Sequence, residues 1–83
     1  MPDLRWITGP VGCTDYVDAE GTVHGYVMPV ADRTRGYALK RMPSCPVMGH
    51  TTDDRPTDAE ARAWVEAEVV RLHAEGRGAM GDA

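Results

Sequence analysis

The sequence predicts an α+β domain in which a three-stranded antiparallel β-meander is packed by one C-terminal α-helix. Between positions 13 and 42, short segments rich in β-branched and aromatic residues alternate with turn residues. A capping-box pattern at Thr57 is followed by apolar residues at helical spacing. The chain has 83 residues, which is enough for one domain and too few for two.

The predicted strands follow one another through short turns. The elements, in order, are a strand at 13–17, a turn at 18–21, a strand at 22–30, a turn at 31–35 and a strand at 36–42. Gly21 fits the end of the first turn, where a positive φ is needed. Trp6 and Ile7 either add a fourth edge segment or plug the open end of the sheet.

Pairing the strands through these turns predicts which side chains share a face. We take Asp18 as opposite Thr22 and Val30 as opposite Gly36, and side chains then alternate between the two faces. The predicted core face consists of Val17, Val23, Val27 and Leu39. The opposite face is a mixed surface and the candidate for binding; it carries Tyr16, His24, Tyr26, Met28, Ala38 and Lys40.

A proline-rich and glycine-containing stretch separates the last strand from the helix. It runs to Pro56 and predicts a long loop. The Thr57–Glu60 capping box then starts the helix, and Gly76 is placed to end it. One stripe of the helix carries Ala61, Trp64, Val65, Glu68, Val69 and Leu72. We therefore expect one domain over residues 1–76 and a flexible tail over 77–83.

The sequence favours a soluble cytoplasmic protein. No apolar run approaches the ~20 residues needed to span a bilayer, and residues 1–8 lack the apolar core of a secretory signal. Two cysteines, Cys13 and Cys45, are fewer than a small secreted domain usually carries, so we expect both to be reduced. Association with membranes is not expected.

The residues that could support metal binding or catalysis are scattered. Two cysteines and two histidines could in principle bind zinc, but they lie on three segments and include no close Cys pair. These four residues are Cys13, His24, Cys45 and His50. Ser44 lacks the surroundings of a nucleophile, and the paired carboxylates fall in a loop or on a solvated helix. We therefore expect no cofactor, no metal and no enzymatic activity.

Charge is unevenly distributed along the chain. The net charge is −4, yet residues 33–45 carry four cations and no acid, namely Arg33, Arg35, Lys40 and Arg41. Together with Tyr26 and Met28, this basic hairpin has the residue types of an interface core. The predicted partner-binding residues are Tyr16, Tyr26, Met28, Arg33, Arg35 and Lys40.

Two kinds of partner remain open for this surface. A protein partner is favoured by the acidic net charge, and a sheet edge offers a further site for a partner strand or a second copy. Nucleic acid is the alternative, because aromatic and cationic side chains on a sheet can stack bases and neutralise phosphates. In outline, the β-β-β-α order also resembles the arm-type DNA-binding domains of integrases.

A broader resemblance covers residues 4–75. A Trp near the start, a strand containing Gly25-Tyr26-Val27 and an Ala-rich helix with Ala63-Trp64-Val65-Glu66 resemble small accessory proteins of actinobacteria and actinobacteriophages. The resemblance implies no defined activity. It implies action by binding host or viral proteins.

Overall fold

In a computed structural model, which describes residues 3–9, 12–41 and 49–78, five antiparallel strands form one sheet in chain order and are followed by one helix. The strands are β1 Leu4–Thr8, β2 Thr14–Asp18, β3 Val23–Val30, β4 Arg33–Lys40 and β5 Gly49–Arg55, and the helix is α1 Asp58–Ala74. The predicted α+β class with a C-terminal helix is confirmed. The prediction of three strands is wrong, because an edge strand lies on each side of the central three.

The two additional strands occupy the edges of the sheet. β1 pairs with β2 along its whole length, so the segment containing Trp6 is a strand and not a plug. β5 lies within the stretch predicted as a loop and pairs with β4 from Gly49 to Arg55. An edge strand needs a ladder on one side alone and tolerates polar side chains on both faces. The polar sequence of β5 satisfies that requirement.

The turn between β3 and β4 changes the register of β4. Val30 pairs with Arg33, so the turn has two central residues, and Ala31 takes the positive φ of 56° that such a turn needs. The predicted partner of Val30 was Gly36, three positions further along. A shift by an odd number of residues exchanges the two faces of a strand. Ala38 therefore lies in the core, with no exposed surface, and Leu39 does not face the helix.

A β-bulge changes the faces of His24 and Tyr16 relative to Tyr26. Tyr16 pairs with Gly25 and Val17 pairs with Val23, which leaves His24 as the extra residue of β3. The His24 ring stacks on His73 of the helix, so His24 and Gly25 both lie on the helix side of the sheet. This corrects the predicted placement of His24 on the binding face.

The core lies between α1 and the small residues of β3 and β4. The predicted stripe of α1 is confirmed, since Ala61, Val65, Val69 and Leu72 are buried and Trp64 packs against them. Of the predicted core face, Val27 alone belongs to the core cluster that packs against the helix. The helix meets Gly25, Gly36, Val27 and Ala38. Glycine at these strand positions allows the helix to approach the sheet closely.

The helix begins and ends at the predicted residues. Thr57 is the N-cap, and its Oγ1 accepts a hydrogen bond of 3.2 Å from the Glu60 backbone N–H. Gly76 follows the C-cap with a φ of 75°. Beyond it, in the segment predicted as a flexible tail, Arg77 O accepts a 3.0 Å bond from Arg41 N and Gly78 is buried against His73. The rest of the predicted tail lies outside the described residues.

Replacing Thr57 by alanine is expected to lower the free energy of unfolding by about 1 kcal/mol, because the first turn loses its side-chain acceptor. Denaturant unfolding followed by circular dichroism measures this change. Thr57→Ser is the matched control and should retain most of the stability, since serine keeps the hydroxyl. Equal loss in both variants would contradict the capping role.

Candidate protein-binding face

The sheet has one face that no described element covers. Among the described elements, α1 alone packs on the sheet, and it contacts β3, β4 and β5 from one side. We call the opposite side the open face. Its central row follows the cross-strand pairs Ile7, Asp15, Tyr26, Tyr37 and Thr52. Neighbouring rows add Met28, Arg35 and Asp54 on one side and Leu39 and His50 on the other.

Two tyrosines form the centre of the open face. Tyr26 and Tyr37 are directly opposite each other on β3 and β4, and their rings stack with centroids 4.4 Å apart. The ring of His50 meets Tyr37 edge-on at 5.4 Å. Burial, and then the neighbouring Tyr37 hydroxyl, raise the pKa of Tyr26 above its ordinary value. Tyr26 is therefore neutral at physiological pH and presents an apolar ring with a hydrogen-bonding hydroxyl.

An ion pair borders the tyrosines. Arg35 Nε donates to Asp54 Oδ1 at 2.6 Å, and Arg35 Nη2 lies 3.3 Å from Asp54 Oδ2. The hydrogen bond from Arg35 lowers the pKa of the Asp54 carboxyl, and Asp54 in turn raises the pKa of Arg35. Both side chains are about a third exposed or more, so the pair fixes the orientation of the guanidinium more than it stabilises the fold.

Four of the six predicted binding residues lie on the open face. Met28 and Arg35 are cross-strand partners, Tyr26 lies beside them, and Arg33 extends the same side of β4. Tyr16 and Lys40 were predicted to share this face and do not. Tyr16 packs against the helix-side core, and Lys40 follows Ala38 on the helix side. The odd register shift of β4 explains the placement of Lys40.

Tyr16 packs on the helix side of the sheet, where it contacts Trp6. Its ring stacks on Trp6 at 4.6 Å, and Trp6 Nε1 donates to Glu66 Oε2 of α1 at 2.8 Å. The Arg62 guanidinium lies 5.2 Å from the Trp6 ring. Burial and the Glu66 charge raise the pKa of Tyr16. These contacts attach β1 to the helix.

The basic hairpin is dispersed in the folded chain. Arg35 is paired with Asp54, and Arg41 Nη2 donates to the Gly76 carbonyl at 3.0 Å beside the end of α1. The pKa of Glu68 is lowered mainly by hydrogen bonds from Arg71 and to a smaller extent by the Lys40 charge. The four cations of residues 33–45, although close in sequence, thus do not form one basic surface.

The residues that were considered and rejected as zinc ligands are not brought together within the described ranges. His24 is buried on the helix side, whereas His50 lies beside Tyr37 on the open face. Cys13 is a free, half-buried thiol, and Cys45 lies outside the described residues. Within the described ranges, no cluster of three or more His, Cys, Asp or Glu side chains is arranged to hold a metal ion.

Two residues of the open face were missed by sequence reasoning. Tyr37 and His50 complete the aromatic centre, yet the predicted register turned Tyr37 inward and the predicted loop contained His50. The signal that could have found them is the spacing of Gly36 and Ala38. Two small residues at i and i+2 mark the side of β4 that a helix approaches, which leaves Tyr37 on the other side.

Comparison of the chain with protein-family models, curated proteins and solved structures gives no significant match. Among the described residues, no helix has the length and apolar character needed to cross a bilayer.

Proposed function

We propose that the chain is a small binding protein, without catalytic activity of its own, that docks a protein partner on the open face. The observation that carries the proposal is the stacked Tyr26–Tyr37 pair at the centre of a sheet face that no described element covers. Tyrosine, methionine and arginine are enriched at the cores of protein interfaces. Met28 and Arg35 supply the other two types beside the tyrosines.

The tyrosine and arginine side chains of the open face are held in place before any partner binds. Each tyrosine is held by the other on the adjacent strands β3 and β4, and Asp54 holds the guanidinium of Arg35. Side chains that are already ordered lose less conformational entropy when a partner binds, so more of the contact energy appears as affinity. A small rigid sheet face of this kind suits a partner that presents a complementary apolar surface.

Nucleic acid is less well supported as the partner. Affinity for phosphates grows with the number of cations that neutralise them together. On the open face, Arg35 is already neutralised by Asp54, and Asp15 lies in the central row beside Tyr26. Lys40 lies on the other side of the sheet. The face therefore lacks the concentrated positive charge that the sequence pattern indicated.

Tyr26→Ala is expected to weaken partner binding by at least about 30-fold, as truncation of a central interface tyrosine costs roughly 2 kcal/mol or more. The partner is first isolated by affinity capture from a lysate, with and without nuclease and at two salt concentrations. Its dissociation constant is then measured with purified wild-type and variant proteins.

Val70→Ala is the matched control, because Val70 is 54% exposed on the solvent side of α1. It should bind like the wild type. A partner lost with Val70→Ala and retained with Tyr26→Ala would place the interface on the helix and overturn the proposal. Capture that disappears with nuclease, and that weakens uniformly in Arg33→Ala and Arg35→Ala, would instead make the partner a nucleic acid.

A further inference from the structure

A buried polar cluster lies on the helix side, away from the open face. Asp18 is 2% exposed and His24 is 1% exposed, and His24 Nε2 lies 3.0 Å from Asp18 Oδ2. The His24 ring stacks on the half-buried ring of His73 from the last turn of α1, with centroids 5.5 Å apart and planes at 19°. We call Asp18, His24 and His73 the clasp.

The contacts of Asp18 fix the tautomer of His24. The other carboxylate oxygen of Asp18 accepts backbone hydrogen bonds from Glu20 N at 2.9 Å and Thr22 N at 3.0 Å. An ionised carboxylate can accept hydrogen bonds and cannot donate them. The proton of neutral His24 must therefore be on Nε2, which leaves Nδ1 as a lone-pair acceptor.

Each ring of the clasp has one buried nitrogen that makes no hydrogen bond to the described residues. His24 Nδ1 and His73 Nε2 are both buried, and neither has a hydrogen-bond partner among the described residues. A proton on His73 Nε2 would be a buried donor without an acceptor, which is costly. The charged form of His73 would also lie half-buried against the His24 ring, whose centroid is 5.5 Å away.

The clasp supports the end of the described chain. Gly78 packs against the His73 ring so closely that an added Cβ would lie 2.8 Å from two ring atoms. Arg77 is held by its N–H to Leu72 O at 2.8 Å and by its carbonyl, which accepts from Arg41 N at 3.0 Å. The stack of His73 on His24 thus connects the last turn of α1, and residues 77–78 behind it, to the sheet.

We propose that the clasp is a pH-sensitive switch, in which protonation of His73 releases the C-terminal turn of α1 and residues 77–78 from the sheet. The strands and the first turns of α1 stay in place, because their core contacts at Ala61 and Val65 do not involve the clasp.

The direction of the pH dependence follows from the buried groups. Burial, and then the proximity of His24, lower the pKa of His73. The closed clasp thus gives its full stabilisation above the ordinary histidine pKa of about 6.5 and loses it as the pH falls toward the lower folded value.

Asp18 acts in a more acidic range. Its pKa is lowered first by the hydrogen bond from His24, so its contribution is complete above about 3.9 and is lost in stronger acid. Charged groups near this end of the helix include Arg41, Arg71, Arg77 and Glu75, with Arg77 Nη1 3.6 Å from Glu75 Oε1. In the window between roughly pH 4 and 6.5, the pH dependence of the clasp therefore arises from His73.

Hydrogen exchange of the full chain at about pH 7 and about pH 5 tests the switch. After correction for the intrinsic pH dependence of exchange, opening of residues 70–78 in the wild type should increase by about tenfold or more at the lower pH. The first two turns of α1 should not change. His73→Phe keeps the stacked ring and cannot take a proton, so this variant should lose most of the response.

His50→Phe is the control, because His50 lies on the open face, and it should respond like the wild type. An unchanged response in His73→Phe, or exchange that increases uniformly along the helix, would overturn the switch. Should His73→Phe fail to fold, NMR titration of the wild type decides the matter. A His73 pKa at or above about 6.5 would overturn the proposal, and a lower one coupled to shifts at residues 77–78 would support it.

Discussion

Gly25→Ala is expected to cause the largest loss of stability of any single methyl addition in the sheet. A Cβ at Gly25 would lie 2.6 Å from the Tyr37 carbonyl oxygen and 2.6 Å from Val65 Cγ1. The oxygen belongs to the backbone of the paired strand and cannot move without disturbing the ladder. The free energy of unfolding should fall by an amount at or above the upper end of the ~1–3 kcal/mol range for overpacking. Denaturant unfolding measures the change.

A second glycine provides a control for the origin of this effect. At Gly36 the nearest atoms to an added Cβ are side-chain atoms, Val65 Cγ2 at 2.8 Å and Trp64 Cε3 at 3.0 Å. Trimming Val65 to alanine should therefore offset part of the cost of Gly36→Ala. It should offset less of the cost of Gly25→Ala, because the clash with Tyr37 O remains. A loss below about 0.5 kcal/mol for Gly25→Ala would mean that the helix sits further from the sheet.

The helix could be predicted from the sequence because its determinants are local. The Thr57 cap and Gly76 at the C-terminus act within a few residues of themselves, and the apolar stripe repeats within the helix. Glu68 is the one charged residue within that otherwise apolar stripe. It is half-buried at the edge of the sheet, where Thr51 Oγ1 donates to its Oε2 at 2.8 Å, and its arginine partner is Arg71 of the same helix.

The edge strands were harder to predict because their signals are weak. β5 has the sequence Gly-His-Thr-Thr-Asp-Asp-Arg, in which neither face is apolar. Its formation depends on the ladder with β4, a tertiary interaction that strand propensity alone does not report. The flanking proline-rich segment favoured a loop over the same residues.

The residues that lie on the open face depend on the register of β4, and that register is set by the turn between β3 and β4. The polar residues 31–35 fit a longer turn as well as the observed two-residue one, and Ala31 is not a residue that signals positive φ. The resulting error of three positions exchanged the faces of β4, so Lys40 was assigned to the binding surface and Tyr37 to the other side. Tyr26 and Met28 on β3 were placed correctly relative to each other, because alternation within one strand does not depend on the turn.

The proposed binding face and the proposed switch lie on opposite sides of the sheet. Tyr26 and Tyr37 point away from α1, whereas the clasp connects β2 and β3 to its C-terminal turn. Failure of one proposal therefore leaves the other standing. Tyr26→Ala should weaken partner binding and leave the pH response of residues 70–78 unchanged. His73→Phe should leave partner binding at neutral pH unchanged and reduce that pH response.

Leu72→Ala is expected to lower the free energy of unfolding by about 2–5 kcal/mol, which is a large share of the stability of a domain this small. Leu72 is 1% exposed and is the largest fully buried side chain among the described residues. Its truncation leaves a cavity beneath the last turn of the helix, where its carbonyl also accepts from Arg77 N at 2.8 Å. Urea unfolding monitored by tryptophan fluorescence measures the loss.

Val70→Ala again supplies the comparison, since it removes apolar atoms from the same turn on the solvent side and should change stability by less than about 0.5 kcal/mol. The difference between the two variants reports which stripe of α1 faces the sheet. Similar losses for both would mean that the helix is rotated from the orientation described. That result would contradict both the packing of Leu72 and the stacking of His73 on His24.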